Sequence, residues 1–204
     1  MKRYSLVAAL LLALFAFARP LPAEAPDTPL KPDKHTLVLS HLGSEADVAN
    51  PAFIRAGHGS LSGKAGQDYE FVEGRFGKAV LIKDKGVLSF PATGGNFPVE
   101  VGSAEMWLKP ARPWKGWETP FQRGGTMWDE YGRNMIDVHF DAPGVLVMSI
   151  SGQGGSLRVD GKVGDWPVDQ WRHLNLCWDL PAGKGAIYLD GTLVGQASGK
   201  PFTL

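Results

Sequence analysis

The feature that most constrains this chain is alternation with period two, repeated in short segments between glycine-rich turns. In "GSAEMWLKP" (102–110), Ala104, Met106 and Leu108 alternate with Ser103, Glu105 and Trp107. In "MIDVHFD" (135–141), Ile136, Val138 and Phe140 alternate with Asp137, His139 and Asp141. Residues two apart share one face of a strand, so each segment predicts an apolar face toward a core and a polar face toward solvent. Val145–Ser151 and Ser156–Val163 follow, each bounded by glycines. Ala79–Lys83 and Val87–Phe90 read as strands split by Asp84-Lys85-Gly86, and Thr36–Ser40 as a short apolar run. Residues 43–70 are Gly-rich and polar, predicting loops with one or two short strands. No window repeats apolar residues at helical spacing. Short strands with frequent turns predict an all-β antiparallel sandwich of the jelly-roll kind. The 26 glycines and 15 prolines agree with a turn-rich chain.

The stretch from Trp171 to Gly195 states the pattern most fully. Leu174, Leu176 and Trp178 fall on one face, and Trp171, His173, Asn175 and Cys177 on the other. Pro181–Gly185 supplies a turn, and Ile187 and Leu189 alternate with Tyr188. Asp190-Gly191 then predicts a two-residue hairpin, because a type I′ turn needs positive φ at both central positions.

The N-terminus reads differently. Lys2 and Arg3 precede an apolar run from Leu6 to Ala18, and Ala23-Glu24-Ala25 places small residues at −3 and −1 of a cleavage site. Residues 1–25 are therefore expected to be a secretory signal peptide. The run is too short to span a bilayer, which takes about 20 residues. Residues 26–34 hold Pro26, Pro29 and Pro32 and predict an extended linker, with the folded domain over 35–204. Cleavage removes Lys2, Arg3, Arg19 and Glu24 from 21 basic and 21 acidic residues; 18 and 20 remain, a net charge of −2. Such a surface has no bulk attraction for nucleic acid or an anionic membrane. Cys177 is the single cysteine, so no intrachain disulfide forms, and a thiol within a strand reads as a small inert side chain.

"GRFGKAVLI" (74–82), "GSAEMWLKP" (102–110), "WRHLNLCWD" (171–179) and "IYLDGTLVG" (187–195) occur in that order. Together they resemble the signature segments of the laminin-G-like jelly rolls of the concanavalin A-like lectin/glucanase superfamily. The resemblance covers about residues 36–204. It implies a secreted or cell-surface module, extracellular or periplasmic. It also brings in Ca2+ as a cofactor of many laminin-G-like domains, with no ligands assigned here. Family members usually continue past the hairpin with two further strands, so the chain is expected to be incomplete at its C-terminus.

The chemistry is informative mainly by what it lacks. A glycosidase needs two carboxylates, set about 5–5.5 Å or 6.5–9.5 Å apart according to mechanism. Glucanases of the superfamily carry theirs at alternate positions of one strand, and no E-x-D-x-E pattern occurs. The nearest approach, Asp137-x-His139-x-Asp141, is either a polar outer face or a metal or sugar ladder. Asp129-Glu130 point apart on a strand but could share a calcium loop. There is no G-x-S-x-G elbow, no H-E-x-x-H and no phosphate-binding glycine loop. The five histidines have no ligand spacing.

What remains is recognition. Sugars stack their apolar faces on aromatic rings and give their hydroxyls to amides and carboxylates. Trp107, Glu105, Asp137, His139, Trp171, His173 and Asn175 all fall opposite the predicted core, and would line one ligand-binding surface if their strands are neighbours. Trp178 is expected in the core. Trp114, Trp117 and Trp128 sit in the Gly/Pro-rich stretch 110–134, expected to be long loops. The expectation is a non-catalytic extracellular module for a glycan or a cell-surface protein, with no catalytic residues. The alternative is an accessory or catalytic domain of a larger secreted carbohydrate-active enzyme.

Overall fold

The computed structural model describes residues 25–83, 85–91, 94–97, 100–113, 121–124 and 135–204. Residues 1–24 of the predicted signal peptide and Trp114, Trp117 and Trp128 lie outside them, as do Asp129 and Glu130. The chain runs β1 (Val38–Leu39), α1 (Glu45–Ala49), β2 (Phe53–Ile54), β3 (Ser60–Ser62), β4 (Tyr69–Glu73), β5 (Lys78–Ile82), β6 (Val87–Ser89) and β7 (Val101–Leu108). It continues through β8 (Phe121–Gly124), β9 (Met135–Ala142), β10 (Val145–Gly152), β11 (Gly155–Lys162), β12 (Arg172–Asp179), β13 (Lys184–Leu189) and β14 (Thr192–Ser198).

Two four-stranded antiparallel sheets make the sandwich, in the orders β11-β10-β9-β8 and β14-β13-β12-β7. Three two-stranded pairs, β1-β2, β3-β6 and β4-β5, complete the strands. The alternation expected from sequence sets the facing. Ile136, Val138 and Phe140 of one sheet and Leu174, Leu176 and Trp178 of the other are buried in a common core. Met148 and Ile150 join them from β10, and Leu157 and Val159 from β11. Phe97 stacks on Trp178, with centroids 5.6 Å apart and planes 11° from parallel. A few aliphatic side chains per strand suffice because each full burial stabilises by roughly 1.5–3 kcal/mol.

Local chemistry explains the connections. Asp190 and Gly191 adopt φ of 50° and 78°, the two positive values that the hairpin requires. The register shifts between Ile187 and Tyr188 where β14 pairs with β13. Gly195 sits where the sheets approach: a Cβ there would lie 2.5 Å from the Asp160 carbonyl of β11. Among the described residues α1 departs from the all-strand expectation, in the stretch expected to be loops with one or two short strands, and β8 falls within 110–134, expected to be long loops. Ser44 caps α1, accepting from the Asp47 amide at 3.1 Å. At five residues it is too short to carry a helical repeat.

The last residues cross between the sheets. Gln153 of the β10–β11 turn donates to the Thr203 carbonyl at 2.8 Å, and the Phe202 amide donates to Leu180 at 3.2 Å. The Phe202 ring, 5% exposed, closes that end of the core. No helix among the described residues is long and apolar enough to cross a membrane.

Candidate functional site

The pairing of β7 with β12 builds the site. Its register places His173 opposite Trp107, Asn175 opposite Glu105 and Cys177 opposite Ser103. Because Leu174, Leu176 and Trp178 point inward, these six side chains stand on the outer face. Strand β13 continues the face, with Tyr188 opposite Asn175 and Ala186 opposite Cys177. On β14, Leu193 stands opposite Tyr188 and Gln196 opposite Ala186. A row Glu105–Asn175–Tyr188–Leu193 therefore crosses all four strands. Asn175 is buried and Tyr188 half-buried, the Glu105 side chain is 36% exposed, Gln196 is exposed, and Leu193 is 44% exposed.

The row is wired by weak polar contacts. Asn175 Nδ2 donates to Glu105 Oε2 at 3.4 Å, and the Cys177 thiol donates to Asn175 Oδ1 at 3.3 Å. His173 Nε2 lies 3.6 Å from Glu105 Oε2, beyond a hydrogen bond. Burial, with the charge of Asp33 nearby, raises the Glu105 carboxyl above its ordinary value. Burial also lowers His173, against the pull of Asp190, so the imidazole is uncharged at neutral pH. Cys177 is pushed up to about 11 by burial and by Glu105, which makes it a protonated, unreactive thiol. Cys177 and His173, four residues apart on one strand, are separated by about 13 Å, too far for a nucleophile–base pair. The face offers donors and acceptors for hydroxyl groups beside an aromatic ring.

At its Trp107 end the face is roofed. The β4–β5 turn, Gly74-Arg75-Phe76-Gly77, leans over the indole. The Arg75 guanidinium sits 4.0 Å above the Trp107 ring centroid, and Phe76 meets it edge-on at 5.9 Å and 85°. His173 lies against the same ring at 5.1 Å. Arg75 is paired in turn with Asp27 of the N-terminal arm at 3.6 Å. Trp107 Nε1 and His173 Nε2 are both buried without a hydrogen-bond partner.

The structure brings Glu105, Trp107, His173 and Asn175 together. Trp171 immediately precedes β12, with the Lys109 ammonium 5.6 Å above its ring. Lys109 is itself paired with Asp169 at 3.7 Å. Asp137 and His139 do not share this surface. They belong to β9, in the other sheet, opposite Ser149 and Val147 of β10. Their side chains stand on the outer face of that sheet, across the sandwich from Glu105. There Asp137 Oδ2 and His139 Nδ1 hydrogen-bond to each other at 2.5 Å. Asp141 pairs instead with Arg158 of β11 at 2.6 Å. The expectation of one surface therefore fails for Asp137 and His139. Alternation reports the face of a strand but not its sheet. Among the described residues no group of three His, Cys, Asp or Glu side chains is placed to hold a metal ion.

A family profile described as the concanavalin A-like lectin/glucanases superfamily, of laminin-G type, matches residues 83–203. The chain belongs to that superfamily. Among solved structures, this superfamily member is similar to domain 4 of AbnA, a GH43 extracellular arabinanase from Geobacillus stearothermophilus, determined in complex with arabinotriose. The identity is 17%, over 81% of this chain and 77% of that one, with a TM-score of 0.48. No curated protein matches.

Three residues that shape the site of this laminin-G-type domain escaped sequence reasoning: Tyr188, Gln196 and Arg75. Tyr188 was legible in principle, since it breaks the apolar alternation of Ile187 and Leu189 as an outward aromatic. Gln196 is displaced by the register shift near Ile187, so counting by twos from the hairpin misplaces it. Arg75 sits in a turn, and nothing local points it at Trp107.

Proposed function

We propose that this chain is a non-catalytic carbohydrate-binding module, exported through residues 1–25, whose site is the outer face of the β14-β13-β12-β7 sheet. The row Glu105–Asn175–Tyr188 carries this reading. It sets the half-buried Tyr188 ring and the part-exposed Glu105 carboxylate around the buried Asn175 amide, the kinds of group that saccharide recognition needs. Membership of a lectin/glucanase superfamily supports the ligand class. Two carboxylates stand on the described strands of this face, Glu105 and Asp179, but Asp179 pairs at Val101, four residues along β7 from Glu105 and so about 13 Å away, and it accepts from the Ala182 amide; that separation exceeds the roughly 5–9.5 Å that glycoside hydrolysis needs.

Affinity electrophoresis and calorimetry against arabinan, xylan, β-glucan and mannan test the proposal. The wild type is expected to bind at least one of them. Tyr188→Ala should weaken that binding about tenfold, the scale of one lost aromatic contact. Tyr188→Ala and Glu105→Gln variants that bind as tightly as the wild type, or a wild type that binds none, would refute it.

A further inference from the structure

We infer that the Gly74–Gly77 turn covers a second saccharide subsite built by Trp107 and His173, next to the Glu105–Asn175–Tyr188 row. The inference rests on the function proposed above and extends it from one sugar residue to at least two.

The observation behind it is a pair of unmet polar atoms. His173 is 3% exposed, and its Nε2 has no hydrogen-bond partner. Trp107 Nε1, on the adjoining ring 5.1 Å away, is buried and equally unmet. The Trp178 indole N–H, within the core, is unmet too, so an unmet donor alone marks no site; what sets Trp107 and His173 apart is that two such atoms stand side by side at the edge of a polar face, next to Glu105. Glu105 Oε2 lies 3.6 Å from His173 Nε2, close enough for one small polar group to reach both. A sugar hydroxyl suits this set. Its oxygen accepts from the indole N–H, and it meets the imidazole as donor or acceptor in either tautomer. A neighbouring hydroxyl can donate to Glu105.

The ring face is also accounted for. The Arg75 guanidinium, 4.0 Å from the Trp107 centroid, occupies the place where a pyranose or furanose would stack. Its hold is weak. The Arg75 side chain is 34% exposed, and its partner Asp27, 3.6 Å away, is 91% exposed. Such a pair contributes little in water. The turn itself is closed by the Gly74 amide donating to the Gly77 carbonyl at 2.6 Å, but Arg75 stands at its tip, and its side chain can swing to another rotamer without moving strands β4 and β5. With Arg75 swung aside, Trp107, His173 and Glu105 continue the Asn175–Tyr188 row without a break.

The test is NMR on the full mature chain, with the Trp107 indole assigned by Trp107→Phe. Two measurements are made on wild type and Arg75→Ala. The first is exchange of the Trp107 indole proton without ligand. Arg75→Ala should speed it about tenfold, while the core Trp178 indole serves as a control for global unfolding. The second is titration with arabino-, xylo-, cello- and laminarihexaose. A bound hexasaccharide should shift the Trp107 and His173 signals together with Tyr188, and Arg75→Ala should tighten its Kd about three- to tenfold by removing the competing guanidinium. Unchanged Trp107 exchange overturns the inference. So do shifts confined to Tyr188 and Asn175, though these leave the site at the Glu105–Asn175–Tyr188 row standing. No shift with any oligosaccharide overturns both readings.

Discussion

Phe202→Ala should unfold this domain well below the wild-type temperature. The ring is 5% exposed and packs against the core where the final segment crosses between the sheets. It fits over a position with no side chain of its own: a Cβ on Gly155 would come within 2.9 Å of the Phe202 Cβ. The strands around it are held by long ladders, so the hole left by truncation cannot collapse readily. Removing a buried phenylalanine ring costs about 3–5 kcal/mol. For a domain of this size each kcal/mol moves the melting temperature by about 2–4 °C, so the fall should be roughly 6–20 °C. The backbone contacts of the segment, Gln153 to Thr203 and Phe202 to Leu180, do not depend on the ring. Phe202→Leu keeps most of the volume and should cost less than about 1.5 kcal/mol. Urea unfolding followed by tryptophan fluorescence reads both variants. A Phe202→Ala change below about 1 kcal/mol would refute the argument, because it would mean that this end of the core is not closed by the ring.

Asp190 ties the β13–β14 hairpin to β12, accepting from the His173 amide at 2.8 Å and pairing with Arg172. Asp190→Ala should destabilise by about 1–3 kcal/mol and Asp190→Asn by less, because asparagine keeps an acceptor and tolerates positive φ; equal losses in chemical denaturation would contradict this. Burial raises Glu105, so its ionisation disfavours the fold, and that stability is present below the unfolded value near 4.5 and lost as pH rises through the folded one. Glu105→Gln should therefore melt higher than wild type at pH 7, with the gap closing toward pH 4; a gap independent of pH would count against it. His173 has the opposite sign: burial holds its folded value below the ordinary 6.5, so its share of stability is present above that pH and lost as pH falls through the folded value. Melts of His173→Gln should accordingly lose less than wild type between pH 7 and pH 5. Cys177, pushed up to about 11, should react with a disulfide reagent at pH 8 at least tenfold more slowly in the folded chain than in urea; equal rates would show an accessible thiolate.

Much of the fold was legible because its signals are local. The alternations over 102–108, 135–141 and 171–179 gave the inward residues of β7, β9 and β12, and Asp190-Gly191 gave the hairpin. The site was legible only by halves. Glu105, Trp107, His173 and Asn175 carry their outward facing in their own strands, and β7 and β12 proved to be neighbours. Asp137 and His139 carry the same local signal, yet β9 belongs to the other sheet. That assignment depends on pairing across long stretches of chain, which a period cannot encode. The roof over Trp107 is hidden for a related reason: "GRFG" announces a turn, and only the packed structure tells that the turn lies over the indole.

The pairing of β7 with β12 also has a bearing on how the domain forms. Strands β9, β10 and β11 follow one another through tight turns, as do β12, β13 and β14. The Glu105–Asn175 contact instead joins residues 70 apart. Closing a long loop is entropically dearer than closing a hairpin, and topologies that rely on distant pairings fold over milliseconds to seconds. The two meanders are thus expected to zip first and β7 to dock late, an order that pulse-labelled hydrogen exchange would read from the amides of β7. Glu105 and Trp107 arrive with that strand. A chain that has formed both meanders but not received β7 has Tyr188 in place and half a site, so capture of ligand becomes a report that folding has finished.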